Sequence, residues 1–345
     1  MTTDYRLRIE QAATAELPWE LLEGSNLLVT GATGLIGGCL VDVLMRHNAH
    51  HFRVYAAGRN EERARKRFAA YWHLPNFHFI AFDVTTPMKT DIDFHFIIDA
   101  ASGASPSAYA TDPVGVMKAN IYGVDNLLSY GKAHQLCRFV YVSSGEVYGE
   151  GDGRAFAEDY SGYINPATVR SCYPSSKRAA ETLCVSHAQQ FGLNVSIARP
   201  SHVYGPYFTE QDNRVYAQFI RNVLAGEDIV MKSSGRQFRS WCFSVDCASA
   251  LLHILLKGEN MKPYNIADTE SNISIRELAE DIADIAGKRV VVDIPDAEEK
   301  AGYSVIKKAT FDTARLRALG WTTEGGMKEK LRLTIDEQQH YEKNM

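Results

Sequence analysis

A glycine turn near the N-terminus does most to constrain what this 345-residue chain can fold into. The short apolar run Asn26–Thr30 leads into Gly31-Ala32-Thr33-Gly34-Leu35-Ile36-Gly37, and a helical pattern follows over Ile36–His47. Strand, glycine turn and helix in this order form a cradle for a dinucleotide. Gly31 permits the turn, Gly34 lets a pyrophosphate approach the backbone, and Gly37 lets the helix pack on the sheet. The N–H groups and positive dipole end of the helix then face the phosphates. Thr33, Leu35 and Ile36 are expected beside the cofactor together with the three glycines.

The rest of the chain fits that start. Further strands are expected at Arg53–Ala57, Phe77–Phe82, Phe94–Ala100, Arg138–Ser143 and Asn194–Arg199. Helices are expected at Asn60–Tyr71, Pro113–His134 and Tyr173–Phe191. Such alternation predicts an α/β fold, a Rossmann-type doubly wound parallel sheet covered on both faces. Beyond Arg199 the pattern breaks into shorter helices (214–224, 245–256, 275–285, 327–340) and brief strands near Ile229, Tyr264 and Val290. This reads as a smaller C-terminal α/β lobe that holds the substrate. The expected division is an N-terminal arm or short helix (1–24), a dinucleotide-binding domain (25–200) and a lobe (201–345) that can return a strand or helix to the first domain.

Composition narrows the function. Hydrophobic residues make up 45% and charged residues 23% of the chain, with a net charge of −5. These values describe a folded protein and speak against nucleic acid as partner. No run is long and apolar enough for a membrane span, and the N-terminus lacks the apolar core of a secretory signal. The six cysteines show no metal spacing, so buried free thiols in a reducing cytoplasm are expected. The charged run Glu61–Arg67 reads as a solvated helix face. His47, His50 and His51 read as a helix end, where histidine suits the dipole.

Other residues point to redox chemistry. The second strand ends in Gly58-Arg59 rather than in the acid that binds the ribose of NAD. An arginine there can pair with a 2′-phosphate, so NADP is slightly favoured over NAD. Asp83 and Val84, after the third strand, are expected near the adenine, although Asp83 also suits a turn. Ala100 and Ala101 are expected along the cofactor. Tyr173 and Lys177, four residues apart, share one face at a helix start. A nearby ammonium lowers a phenol's pKa, so Tyr173 is expected to act as a base. Ser143 and Ser144 are candidates to hydrogen-bond the same substrate hydroxyl, and Asn120 to support Lys177 through water.

This combination resembles the extended short-chain dehydrogenase/reductases that act on nucleotide sugars. The glycine turn, Ser143-Ser144, Tyr173/Lys177 and Arg199-Pro200…Tyr204-Gly205-Pro206 occur in the same order there. The segments Glu158-Asp159-Tyr160, Arg170-Ser171-Cys172-Tyr173…Lys177-Arg178…Glu181, Asn213-Arg214-Val215 and Arg239…Phe243 look like the UDP-glucuronate decarboxylase branch. The resemblance implies a tightly bound, recycled NAD(P), a UDP-sugar substrate and a homodimer. The dimer would be a four-helix bundle built from Pro113–His134 and Tyr173–Phe191. It also implies Tyr173, Lys177, Ser144 and Glu146 as catalytic residues. Ser144, Glu146, His202, Arg214 and Arg239 would touch the substrate, the two arginines at its pyrophosphate. Arg236 competes for that role, and Arg170 is either a contact for a sugar carboxylate or structural.

Residues 144–146 discriminate among the reactions of the family. Related dehydratases carry Thr-Asp-Glu there and decarboxylases Thr-Ser-Glu, whereas 4-epimerases generally lack the Glu. This chain has Ser144-Gly145-Glu146. Gly145 offers no acid for a departing C6 hydroxyl, which disfavours dehydration. A C4 ketone is β to a C6 carboxylate and acts as electron sink, so loss of CO₂ needs no such acid. The expectation is redox-neutral decarboxylation of UDP-glucuronate or a related nucleotide uronate. The alternatives are a 4-epimerase, a 4,6-dehydratase and an NADPH-dependent carbonyl reductase. Gly145, His202 (usually Asn) and Gly58-Arg59 depart from the branch pattern.

Overall fold

The computed structural model describes residues 1–47, 51–293 and 308–344. The chain runs through α1 (Thr3–Ala13), β1 (Asn26–Thr30), α2 (Leu35–His47), β2 (Arg53–Gly58), α3 (Glu61–Arg67), β3 (Phe77–Ala81) and β4 (Phe96–Asp99). Next come α4 (Pro106–Thr111), α5 (Pro113–Ala133), β5 (Arg138–Val142), α6 (Cys172–Phe191) and β6 (Val195–Pro200). The second half holds β7 (His202–Tyr204), α7 (Val215–Leu224), β8 (Ile229–Met231), β9 (Phe238–Phe243), α8 (Ser244–Lys257) and β10 (Pro263–Ile266). It closes with β11 (Asp268–Ser274), α9 (Ile275–Ala286), β12 (Val290–Val292), β13 (Lys308–Ala309), α10 (Ala314–Arg317) and α11 (Met327–Lys343).

Seven strands form one parallel sheet in the order β10-β6-β5-β4-β1-β2-β3. The order reverses between β1 and β4, which opens a crevice at their C-terminal ends where such folds take ligands. Alternate residues serve the two faces. Leu27 and Val29 join the core under α2 and α8, whereas Leu28 joins the core under α5 and α6. Local signals start the helices. Asn60 Oδ1 accepts from Arg63 N at the head of α3, and Asp112 with Pro113 opens α5.

The second half is not a separate lobe throughout. β10 extends the main sheet and α8 packs on α2. Only the small sheet β11-β9-β13, joined by β7, and the pair β12-β8 stand apart from the main sheet. Residues 3–13 form a packed helix, one of the two forms expected there, with Tyr5, Ile9, Ala12 and Ala13 buried.

Three local expectations change. Cys137 is exposed, so only five of the free thiols are buried. The charged run is not wholly solvated: Arg67 is buried, ion-paired with buried Asp42, and sits over the Tyr207 ring at 4.0 Å. Arg67 ends α3, and its long side chain reaches the carboxylate of Asp42 in α2. His47 ends α2 but stacks on Trp19 at 3.7 Å and meets the Ala13 carbonyl, while His50 lies outside the described residues. No metal-ligating cluster occurs among the described residues.

Candidate active site

The cradle is built by close backbone approach at the sheet's reversal point. Gly31 has φ +61°, and a Cβ there would stand 2.5 Å from the Ala100 carbonyl oxygen after β4. A Cβ on Gly37 would stand 2.5 Å from the Gly31 carbonyl oxygen. Both glycines are therefore demanded by packing of turn, strand and helix. Gly34 meets only the Gly31 oxygen, at 3.1 Å. Its backbone face can approach a diphosphate beside the first-turn N–H groups of α2, which have no intrahelical acceptor. The residues present thus fit a dinucleotide.

The flanking residues support that crevice in different ways. Asp99 accepts from Thr30 Oγ1 at 2.5 Å and from Ala101 N at 3.2 Å, fixing the loop that carries Ala100 and Ala101. Asp83 accepts from both the backbone and the hydroxyl of Thr85, so it makes a turn, and these bonds hold its carboxyl below the usual range. Val84 is buried against Gly123 of α5. Arg59 is exposed at the end of β2. Buried Asn120 accepts from Ser102 Oγ and donates to Ser176 Oγ, both at 2.9 Å. It ties the loop after β4 to α6 directly, whereas the sequence suggested a water-mediated link to Lys177.

α6 brings Tyr173 and Lys177 into the same crevice, both buried. Lys177 Nζ donates to the Val142 carbonyl at 2.8 Å and lies 5.8 Å from the Tyr173 ring centre. Burial pushes this ammonium down to about 8, against the pull of Asp99 and Glu181. Burial pushes the Tyr173 phenol up to about 12, and Glu146 adds to the rise. A hydrogen bond with Ser144 and the charges of Arg170 and Arg214 oppose it. The expected depression of the phenol toward neutrality is thus reversed, because desolvation outweighs the neighbouring cations. Ser143 is also corrected. Its hydroxyl donates to buried Glu181 at 2.5 Å, and Arg199 clamps the same carboxylate. Only Ser144 faces Tyr173.

The substrate side is charged. Glu146 accepts from Arg170 Nη2 through both oxygens, at 2.7 and 2.8 Å. The Arg170 guanidinium lies 4.5 Å over the Tyr109 ring, which lies 4.8 Å from the Tyr173 ring. Arg214 heads α7, held by Asp212 and by the Tyr216 hydroxyl at 3.2 Å. Arg239 sits in β9 between β11 and β13, only 4% exposed. Burial pushes its guanidinium down to about 10, and Glu146 pulls it back. His202 in β7 stands 5.4 Å from the Trp241 ring. It opens onto the cleft yet is crowded by protein, and that crowding with the Arg239 and Arg214 charges pushes its pKa down to about 3. Arg236 is exposed and lines a surface cavity with Ser274 and Arg276.

Three residues of the site went unmarked in the sequence reading. Tyr109 had only the helix start Ser105-Pro106 to signal its place. Asp212, close before Arg214, was a legible partner. Phe311 had no local signal: a Cβ on Gly145 would fall inside its ring, so the glycine is required by an aromatic from far along the chain.

A profile of the NAD dependent epimerase/dehydratase family matches residues 27–267. UDP-glucuronic acid decarboxylase 6 of Arabidopsis thaliana is 33% identical over 89% of this chain and 87% of its own. UDP-glucuronic acid decarboxylase 1 of Danio rerio is 32% identical over 90% of this chain and 72% of its own. Two solved structures share the fold. UDP-glucuronic acid 4-epimerase of Bacillus cereus, in complex with UDP-glucuronic acid and NAD, has a TM-score of 0.79 at 22% identity, covering 91% of this chain and 99% of its own. The dTDP-glucose 4,6-dehydratase of Bacillus anthracis, with NAD, has a TM-score of 0.77 at 21% identity, covering 93% and 97%.

Proposed function

The chain belongs to the NAD dependent epimerase/dehydratase family, and from that premise we propose that it decarboxylates UDP-glucuronate, or a closely related nucleotide uronate, through a 4-keto sugar. The observation that carries this reading is the wall behind Gly145. Phe311 fills the space where an acid for a leaving hydroxyl would have to stand. Glu146 has both oxygens engaged by Arg170, so it is not presented as that acid either. Loss of CO₂ requires no such group.

A nicotinamide dinucleotide in the cradle supplies the acceptor and later donor for the hydrogen on C4, together with a positive ring charge. The chain's own residues manage the protons. Ser144 and Tyr173 grip the C4 hydroxyl; with the charges of Lys177 and of a bound nicotinamide ring beside it, the Tyr173 phenol would first give up its proton to solvent, and the phenolate takes the hydroxyl proton as the C4 ketone forms. Lys177, anchored on Val142, supplies positive charge beside the phenol. The C5–C6 bond then breaks, its electron pair moves into the C4 carbonyl as an enolate, and CO₂ departs. A proton returns to C5. Tyr173 gives its proton back to O4 as C4 is reduced, leaving a UDP-pentose and no net redox change.

Finer features of the reading rest on fewer residues. Gly58-Arg59 supports a slight preference for NADP over NAD. Exposed Met117 and Tyr122 on α5 and Val185 on α6 support a homodimer through a four-helix bundle. The five buried free thiols suit a reducing cytoplasm, and no described helix is long and apolar enough to cross a membrane. The test is mass spectrometry of UDP-glucuronate incubated with the protein and either NAD or NADP. A nucleotide sugar lighter by the mass of CO₂ is expected. A product of unchanged mass but altered C4 configuration by NMR would replace the reading with 4-epimerisation.

A further inference from the structure

We infer that Arg170 is the receptor for the sugar's anionic C6 group and that Glu146 acts as its holder, an inference that rests on the uronate reading above. The cations of the cleft are not equivalent. Lys177 is committed to the Val142 carbonyl and Arg214 to Asp212, while Arg239 lies within the small sheet. Arg170 differs, since its side chain is 49% exposed. Glu146 is bonded through Nη2 alone, and no described protein acceptor meets Nη1 or Nε. The Nη1 and Nε donors, on different edges of the planar group, are thus left to reach a second carboxylate through single charge-assisted bonds.

Its position suits C6. The Tyr173 phenol marks where O4 must sit. The Tyr109 ring stacks beside Tyr173 at 4.8 Å, and the guanidinium lies 4.5 Å over Tyr109 on the same wall. In a hexuronate the carboxylate is borne on C5, the carbon next to C4. Arg170 is thus joined through Tyr109 to the wall where O4 and its neighbour C5 would lie. Glu146 alone would repel a uronate, and Arg170 removes that repulsion while Glu146 fixes the guanidinium's plane. As a plain surface pair the two would contribute little. The cation over the Tyr109 ring and the unmet Nη1 and Nε donors go beyond what such a pair needs.

The test is calorimetric binding of UDP-glucuronate and of UDP-glucose to the cofactor-saturated Tyr173→Phe protein, in which turnover is blocked. That protein is expected to prefer UDP-glucuronate. Adding Arg170→Gln should weaken UDP-glucuronate binding by roughly 10- to 100-fold, the scale of a lost charge-assisted pair, and UDP-glucose by about twofold or less. Arg170→Lys, which keeps charge without the fork, should recover part of the loss. Glu146→Gln, which keeps the shape of the pair, should raise the preference for the uronate by removing a competing anion. An unchanged ratio in both Arg170 variants, or equal losses for both ligands, would overturn the inference and leave the uronate reading standing. A preference of the Tyr173→Phe protein for UDP-glucose would overturn both.

Discussion

At the scale of single residues, the site is governed by desolvation and by one aromatic contact. Tyr173 is a phenol raised to about 12 by burial, so it holds its proton near neutral pH. An ultraviolet titration of the cofactor-free protein should therefore show no difference between wild type and Tyr173→Phe until strongly alkaline pH. A phenolate specific to Tyr173 near pH 7 would contradict this. Gly145 gives a second prediction. A side chain there must displace the Phe311 ring, so Gly145→Ser should cost about 1–3 kcal/mol in urea unfolding, the usual range for overpacking. Introduced into Phe311→Ala, the same serine should cost much less than in the wild type, because the three atoms nearest that Cβ all belong to this ring. An equal cost of the serine in both backgrounds would show that the glycine matters for another reason.

Among the elements, α11 fastens the small sheet to α8. Lys330 of α11, 1% exposed, pairs with Asp246 of α8 at 2.8 Å and with Asp268 of β11 at 2.9 Å. Burial still pushes Asp246 up to about 6, although Lys330 pulls it down. Lys330→Met leaves both carboxylates without their cation, and breaking such a buried cluster costs about 3–5 kcal/mol. The pH dependence has a definite sign. Without Lys330 the folded carboxylates bind protons more tightly than the unfolded ones do. The variant's deficit should then be smallest below about pH 4 and grow as pH rises through neutrality. A deficit that shrank with rising pH in guanidinium or thermal unfolding would contradict this.

At the scale of the whole molecule, much of the architecture was legible in the sequence. The glycine turn and six apolar runs mark β1 to β6 within a residue or two at most ends, because buried parallel strands read as continuous apolar stretches. The small sheet was not legible. β9 reads Phe-Arg-Ser-Trp-Cys-Phe and β11 Asp-Thr-Glu-Ser-Asn-Ile-Ser, so polar residues obscure any strand period, and their partners β7 and β13 are very short. The site divides in the same way. Tyr173, Lys177 and Ser144 carry local spacing. Tyr109 and Phe311 enter only through tertiary packing, and Ser143 fails because Glu181 reaches it from the next helix.

The proposed pairing of two copies belongs to this scale as well. Tyr122 is 51% and Met117 38% exposed on α5. Replacing both with Glu should shift the protein from dimer to monomer in sedimentation equilibrium, with little change in melting temperature. A monomeric wild type, or a variant that stays dimeric, would remove the bundle.

In the proposed reaction hydrogen leaves C4 of the sugar and returns to the same carbon, with CO₂ lost between. Incubation of UDP-glucuronate deuterated at C4 tests it most directly. The account predicts a nucleotide pentose that has lost CO₂ and keeps its deuterium at C4, with a solvent-derived hydrogen at C5. A decarboxylated product whose C4 deuterium had exchanged with water, or an intact uronate under either cofactor, would contradict it.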